Sequence, residues 1–86
     1  MHEMGIASSV LEAVQKELEQ CPGERASRVG LRIGKLAGVD PDSLRFCFEA
    51  IAKADGIPPF LLEIEWCASD ELQIVYVEIE AVEVLQ

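Results

Sequence analysis

The hydrophobic period of this chain changes abruptly at Cys21-Pro22-Gly23, and that change limits what it can fold into. Before the break, Ile6, Val10, Val14 and Leu18 recur every fourth position, with Ala7 and Leu11 widening the stripe. That spacing predicts an amphipathic helix over residues 4–20. After the break, Val29, Leu31 and Ile33 alternate with Arg28, Gly30 and Arg32, which predicts a strand over 26–33, apolar on one face and basic on the other. A proline followed by glycine stops the helix between them.

The same switch occurs again. Asp40-Pro41-Asp42-Ser43 reads as a helix start, with Asp40 as cap, Pro41 at the first helical position and Asp42 at the positive end. A second helix runs to about Ala54, with Leu44, Cys47, Phe48, Ile51 and Ala52 as its apolar stripe. Phe46 and Phe48 are both expected in the core. Asp55-Gly56 ends this helix and Pro58-Pro59 prevents its continuation. Residues 60–67 read as a strand, Ala68-Ser69-Asp70 as a turn, and 71–84 as a last strand. In that strand Val82 and Val84 fall out of phase with Ile79, so a bulge is expected near Glu80-Ala81. Glu78, Glu80 and Glu83 read as a solvated face. The order α-β-α-β-β implies an α+β fold, two helices packed on one face of a small three-stranded mixed sheet.

Eighty-six residues make one small domain, and a mean hydropathy of +0.20 makes it globular. The net charge of −9 argues against nucleic acid or an anionic membrane as partner, because phosphate binding is driven by Lys and Arg. It suits a cation or a basic protein surface. No apolar run approaches a membrane span and no secretory signal is visible, so cytoplasm is the expected compartment. Cys21, Cys47 and Cys67 form no CxxC pair and no disulfide framework. The glycines of Gly34–Gly38 match no phosphate-binding spacing.

Met1-His2-Glu3-Met4 is the stretch with metal chemistry. The Met1 amine, the His2 amide nitrogen and the His2 imidazole can reach one ion, and Glu3 adds a carboxylate. Nitrogen donors in a plane suit Ni(II) or Cu(II). Binding through the amide displaces its proton, so affinity should fall with acid. His2 is the sole histidine, which excludes polyhistidine sites and leaves no second partner for a catalytic triad. No carboxylate pair for acid/base work stands out among the glutamates, so an enzyme is not expected. A methionine and histidine at the start of a chain also occur by accident, and the rest of the sequence has to raise their weight.

It does so by resemblance. Met1-His2-Glu3-Met4 leads straight into the first helix, the run Val29–Val39 (VGLRIGKLAGV) joins a strand to a glycine-containing turn, and Asp42–Glu49 (DSLRFCFE) opens the second helix. Together with the less specific Leu61–Glu65 and Val82–Val84, these stretches resemble the HypA/HybF family of nickel metallochaperones for NiFe-hydrogenase maturation. The resemblance implies a nickel-binding domain with His2 as principal ligand and the Met1 amine and Glu3 beside it. Asp40 or Asp42 could approach the ion, although a helix cap explains both equally well. It also implies a hydrogenase large-subunit precursor and a nickel-insertion GTPase as partners. The chain departs from the family at Cys67-Ala68-Ser69-Asp70, where two CxxC pairs of a zinc module would stand. One cysteine cannot supply four zinc ligands, so residues 1–86 are expected to form a single nickel domain without structural zinc. The competing reading is a protein-interaction or regulatory module that kept this fold without delivering nickel. A loop lost between strands can also push the last strand onto another chain, so a monomer with some homodimer is expected.

Overall fold

The computed structural model describes residues 2–82. Helix α1 (Glu3–Leu18) and helix α2 (Pro41–Ala54) lie on one face of a sheet of β1 (Glu24–Gly34), β2 (Leu61–Cys67) and β3 (Leu72–Ala81), in the expected α-β-α-β-β order. The sheet order is β2-β1-β3. β2 runs parallel to β1, joined to it through α2, and β3 runs antiparallel on the other side. Val84 and Glu83 lie outside the described residues.

The core follows from the two periodicities. Ala7, Val10, Leu11 and Val14 of α1 and Leu44, Cys47 and Phe48 of α2 pack on Ala26, Val29, Leu31, Ile33 and Leu62. Each such aliphatic side chain contributes about 1.5–3 kcal/mol when fully buried. Among the described residues no polar or charged group is buried in that layer. Phe48 meets Phe60 edge to face at 6.3 Å, which ties α2 to the start of β2. The end of α2 is a Schellman motif. Gly56 takes φ +67°, the Ile57 amide donates to the Ala52 carbonyl at 2.8 Å, and the Gly56 amide donates to that of Lys53 at 3.4 Å.

Three sequence expectations change. Phe46 is 68% exposed and is not core. The helical turn that points Leu44, Cys47 and Phe48 inward rotates Phe46 to the outer side. The strand irregularity is not near Glu80-Ala81. The register slips at Ser27 on β1 and again opposite Gly30–Leu31, where Val75 is the extra residue on β3. That slip lets Leu72 and Ile74, then Val77 and Ile79, all face the helices although they alternate out of phase in sequence. The Ser27 hydroxyl pins the first bulge by donating to the Glu78 carbonyl at 3.2 Å. Finally, the glutamates of β2 and β3 do more than meet water. Arg25 pairs with Glu80, Arg28 with Glu63 and Glu78, and Arg32 with Glu65, at 2.6–3.3 Å. These pairs are exposed, so each adds only about 0–1 kcal/mol, but they neutralise the basic stripe of β1.

Because β1 lies between β2 and β3, the four residues after Cys67 must straddle the end of β1. The Leu36 amide donates to the Ser69 carbonyl at 3.0 Å and the Gly34 amide to that of Glu71 at 2.8 Å. Gly34 has no room for a side chain, since a Cβ there would overlap the Ser69 carbonyl. Gly30 is covered in the same way by the ring of Tyr76. That burial, followed by the nearby charge of Glu63, pushes the Tyr76 hydroxyl pKa up.

Candidate metal centre

The starts of the two helices meet at one end of the domain. His2 is the residue before α1, with φ −89° and ψ 73°. Its carbonyl accepts from the Ile6 amide at 3.1 Å and so closes the first helical turn. Its side chain makes no capping hydrogen bond and is exposed. The amide of a residue at this position has no intrahelical acceptor. Both His2 nitrogens that could face an ion are therefore free of any role in holding the helix. Met1 lies outside the described residues.

Glu3 opens α1 and is half-buried. One carboxylate oxygen, Oε2, accepts the Asp40 backbone amide at 3.3 Å, which joins the start of α1 to the start of α2. Asp40 is the cap of α2. Its Oδ1 accepts from the Asp42 amide at 3.0 Å and the Ser43 amide at 3.4 Å. Pro41 follows at the first helical position. Asp42 stands exposed in the first turn. Two helix N-termini place partial positive charge here, and Glu3, Asp40 and Asp42 offset it. A shallow open cleft runs past His2, Glu3 and Met4 at the start of α1 and past Asp42, Ser43, Phe46 and Cys47 on α2.

The structure thus brings His2, Glu3 and Asp40 to one end but does not assemble them as a side-chain cage. Among the described residues no three His, Cys, Asp or Glu side chains converge as a metal-holding group. Oδ1 of Asp40 is committed to its cap and Oε2 of Glu3 to Asp40. Of the three cysteines, Cys47 packs in the core with its edge at the cleft, while Cys21 and Cys67 sit half-buried at the ends of other elements. Partial burial, then the carboxylate of Glu24, raises the pKa of the Cys21 thiol.

Asp40 can be tested as cap against ligand. Asp40→Ala should lower stability by about 1 kcal/mol in urea unfolding, while Asp40→Ser, which retains a capping oxygen, should recover most of that loss. If Ser recovers the fold but nickel affinity stays low, Asp40 is a ligand as well as a cap.

Sequence reasoning placed Phe46 in the core and so overlooked it beside the cleft. The available signal was its phase, since it lies off the stripe of Leu44, Cys47, Phe48 and Ile51.

The fold defines a class, a small two-layer α+β domain with two helices on one face of a three-stranded mixed sheet. The family described as "Hydrogenase/urease nickel incorporation, metallochaperone, hypA" matches residues 1–82. The chain belongs to the HypA family. The hydrogenase maturation factor HypA of Pelodictyon phaeoclathratiforme is 49% identical over 65 residues, covering 76% of this chain and 56% of that protein. HypA of Chlorobium limicola is 46% identical over 69 residues, covering 80% and 60%. The chain spans little more than half the length of these relatives. The solution structure of the Ni metallochaperone HypA from Helicobacter pylori superposes with a TM-score of 0.67 at 16% identity, covering 95% of this chain and 98% of that one, and so shares the fold. Among the described residues no helix is long and apolar enough to cross a membrane.

Proposed function

We propose that this domain carries Ni(II) on the Met1 amine, the His2 amide nitrogen and the His2 imidazole, with Glu3 at the fourth side. Asp40 and Asp42 lower the cost of placing a cation against two helix N-termini. Nickel is cargo here. The domain hands it to a hydrogenase large-subunit precursor, together with a nickel-insertion GTPase, in the cytoplasm. It does so without catalysing a reaction and without a zinc module, whose place is taken by the short turn 68–71. It acts mainly as a monomer, since β3 finds its partner strand within the chain.

One observation carries this reading. His2 closes the first turn of α1 with its carbonyl alone, so metal can take its amide and imidazole without unwinding the helix. A chelate of this kind is also suited to transfer. Its donors lie at an exposed chain end and can leave the ion one at a time, while Glu3 stays anchored to Asp40.

The test is a Ni(II) titration of the tag-free chain, followed by calorimetry and visible absorption. We expect one equivalent, a yellow square-planar band, and affinity that falls as pH is lowered because the amide must lose its proton. One equivalent without the band would put oxygen ligands around His2 in an octahedral site. A folded chain that ignores nickel would leave a non-delivering interaction module.

A further inference from the structure

A groove of about 550 Å³ runs between α2 and the chain entering β2. It shares no lining residue with the cleft at His2. Ile57, Phe60 and Leu61 form its apolar wall, and Leu61 is 55% exposed. The facing wall is α2, where Arg45, Glu49 and Lys53 follow one another at one-turn spacing. The charge here runs against that of the whole chain, which is −9. The three arginines of β1 are all taken by glutamates. Of the other four Lys and Arg side chains, which make no ion pair among the described residues, two line this one groove. They face a single lining carboxylate, Glu49, so the groove is net positive. Arg45 is also held in place. Its Nη1 donates to the Leu62 carbonyl at 2.9 Å, which ties α2 to β2 and leaves the other guanidinium N–H groups for an anion.

Two cations fixed along an apolar wall set the spacing of what can bind. Arg45 and Lys53 lie about 12 Å apart along the helix axis. An extended peptide crosses that distance in about four residues, at about 3.3 Å each. Its first and fifth side chains then share the face turned to α2, while its second and fourth turn to Ile57, Phe60 and Leu61. The third meets Glu49, which repels a negative charge. We propose that this groove binds an extended acidic segment of another protein, with Asp or Glu at its first and fifth positions, bulky apolar residues at its second and fourth, and no acid at its third. Burial of the apolar pair supplies affinity, and the charge pairs supply register and selectivity. A second copy of this chain does not fit, because no two of its carboxylates stand four positions apart in sequence. The inference stands apart from the nickel-carrier reading, since no donor of the proposed chelate lines the groove.

The probe is a fluorescein-labelled, end-capped peptide, Glu-Leu-Ser-Phe-Glu, titrated with the tag-free chain and followed by anisotropy. EDTA is present throughout, so the result does not depend on bound nickel. Binding should saturate at one site and weaken as NaCl is raised from about 0.05 M to about 0.5 M. Lys53→Gln and Leu61→Ser should each weaken it at least about fivefold. Both side chains are exposed, so both variants should unfold with the wild type. A glutamate at the middle of the peptide should weaken binding to the wild type, and Glu49→Gln should restore it. The counterpart Lys-Leu-Ser-Phe-Lys should not bind. The proposal is overturned by absence of saturable binding, by equal binding of the glutamate and lysine peptides, or by binding that neither Lys53→Gln nor Leu61→Ser changes. Calorimetry that shows uptake of decanoate but not of the peptide would also overturn it, in favour of a small apolar acid. So would light scattering that shows a dimer lost in Leu61→Ser, in favour of a second copy.

Discussion

Changing His2 to alanine is expected to lower Ni(II) affinity by at least about a hundredfold, about 2.7 kcal/mol, with loss of the square-planar band. The domain should stay folded. His2 makes no side-chain capping hydrogen bond, and the carbonyl that closes the first turn of α1 survives the substitution. Its thermal midpoint and urea profile should therefore lie within about 0.5 kcal/mol of the wild type, as for surface changes away from special features. Two companions separate the donors. Acetylating the Met1 amine keeps the imidazole and removes the amine, and Glu3→Gln keeps the Asp40 contact and removes the charge. Acetylation should abolish the planar band, and Glu3→Gln should weaken binding while leaving the band in place. Calorimetry and absorption read both. Unchanged binding of one equivalent by His2→Ala would place the ion elsewhere and sink the terminal chelate.

The largest structural effect should come from Gly34. A methyl group there would run into the Ser69 carbonyl, which is backbone in a turn that has only four residues to cross β1. The turn cannot retreat without losing the hydrogen bonds from Leu36 to Ser69 and from Gly34 to Glu71. Overpacking against backbone of this kind costs about 3 kcal/mol, so Gly34→Ala should lower the thermal midpoint by about 10–20 °C in a domain of this size. Lengthening the turn by two glycines between Ala68 and Ser69 gives the crossing slack. It should recover much of the loss in Gly34→Ala, while destabilising the wild type slightly through loop entropy. A Gly34→Ala protein as stable as the wild type would mean that the turn is not seated on β1.

Much of this domain could be read from residue order. The two helices and three strands fall where the four-residue and two-residue periods place them, because each side chain's direction follows from local geometry alone. The Asp40-Pro41 start and the Gly56 stop of α2 are likewise local chemistry. The proposed chelating stretch can be named from sequence for the same reason. An amine, an amide and an imidazole within two consecutive residues need no fold to reach one ion.

What sequence could not supply lies between elements. Alternation in 71–84 showed two phases, and only pairing with β1 shows that a bulge at Val75 puts Leu72, Ile74, Val77 and Ile79 on one face. The arginines of β1 and the glutamates of β2 and β3 read as separate solvated faces until β1 is placed in the middle of the sheet. The Glu3 carboxylate meets the Asp40 amide across 37 positions of chain, and so the partner that links the two helix starts was not visible from either residue. Phe46 was misplaced because an aromatic residue is a good core candidate until a helix is docked and one side is left facing out.

The sequence by itself determined the elements and their caps, and it supplied the proposed chelating donors of the first three residues, since all of these depend on neighbours a few residues apart. Only the tertiary structure decided the strand order, the seating of the turn on Gly34, the pairing of the β1 arginines and the exposure of Phe46 where the two helix starts meet. Those follow from steric fit and charge pairing between segments distant in the chain, and local periodicity holds no information about either.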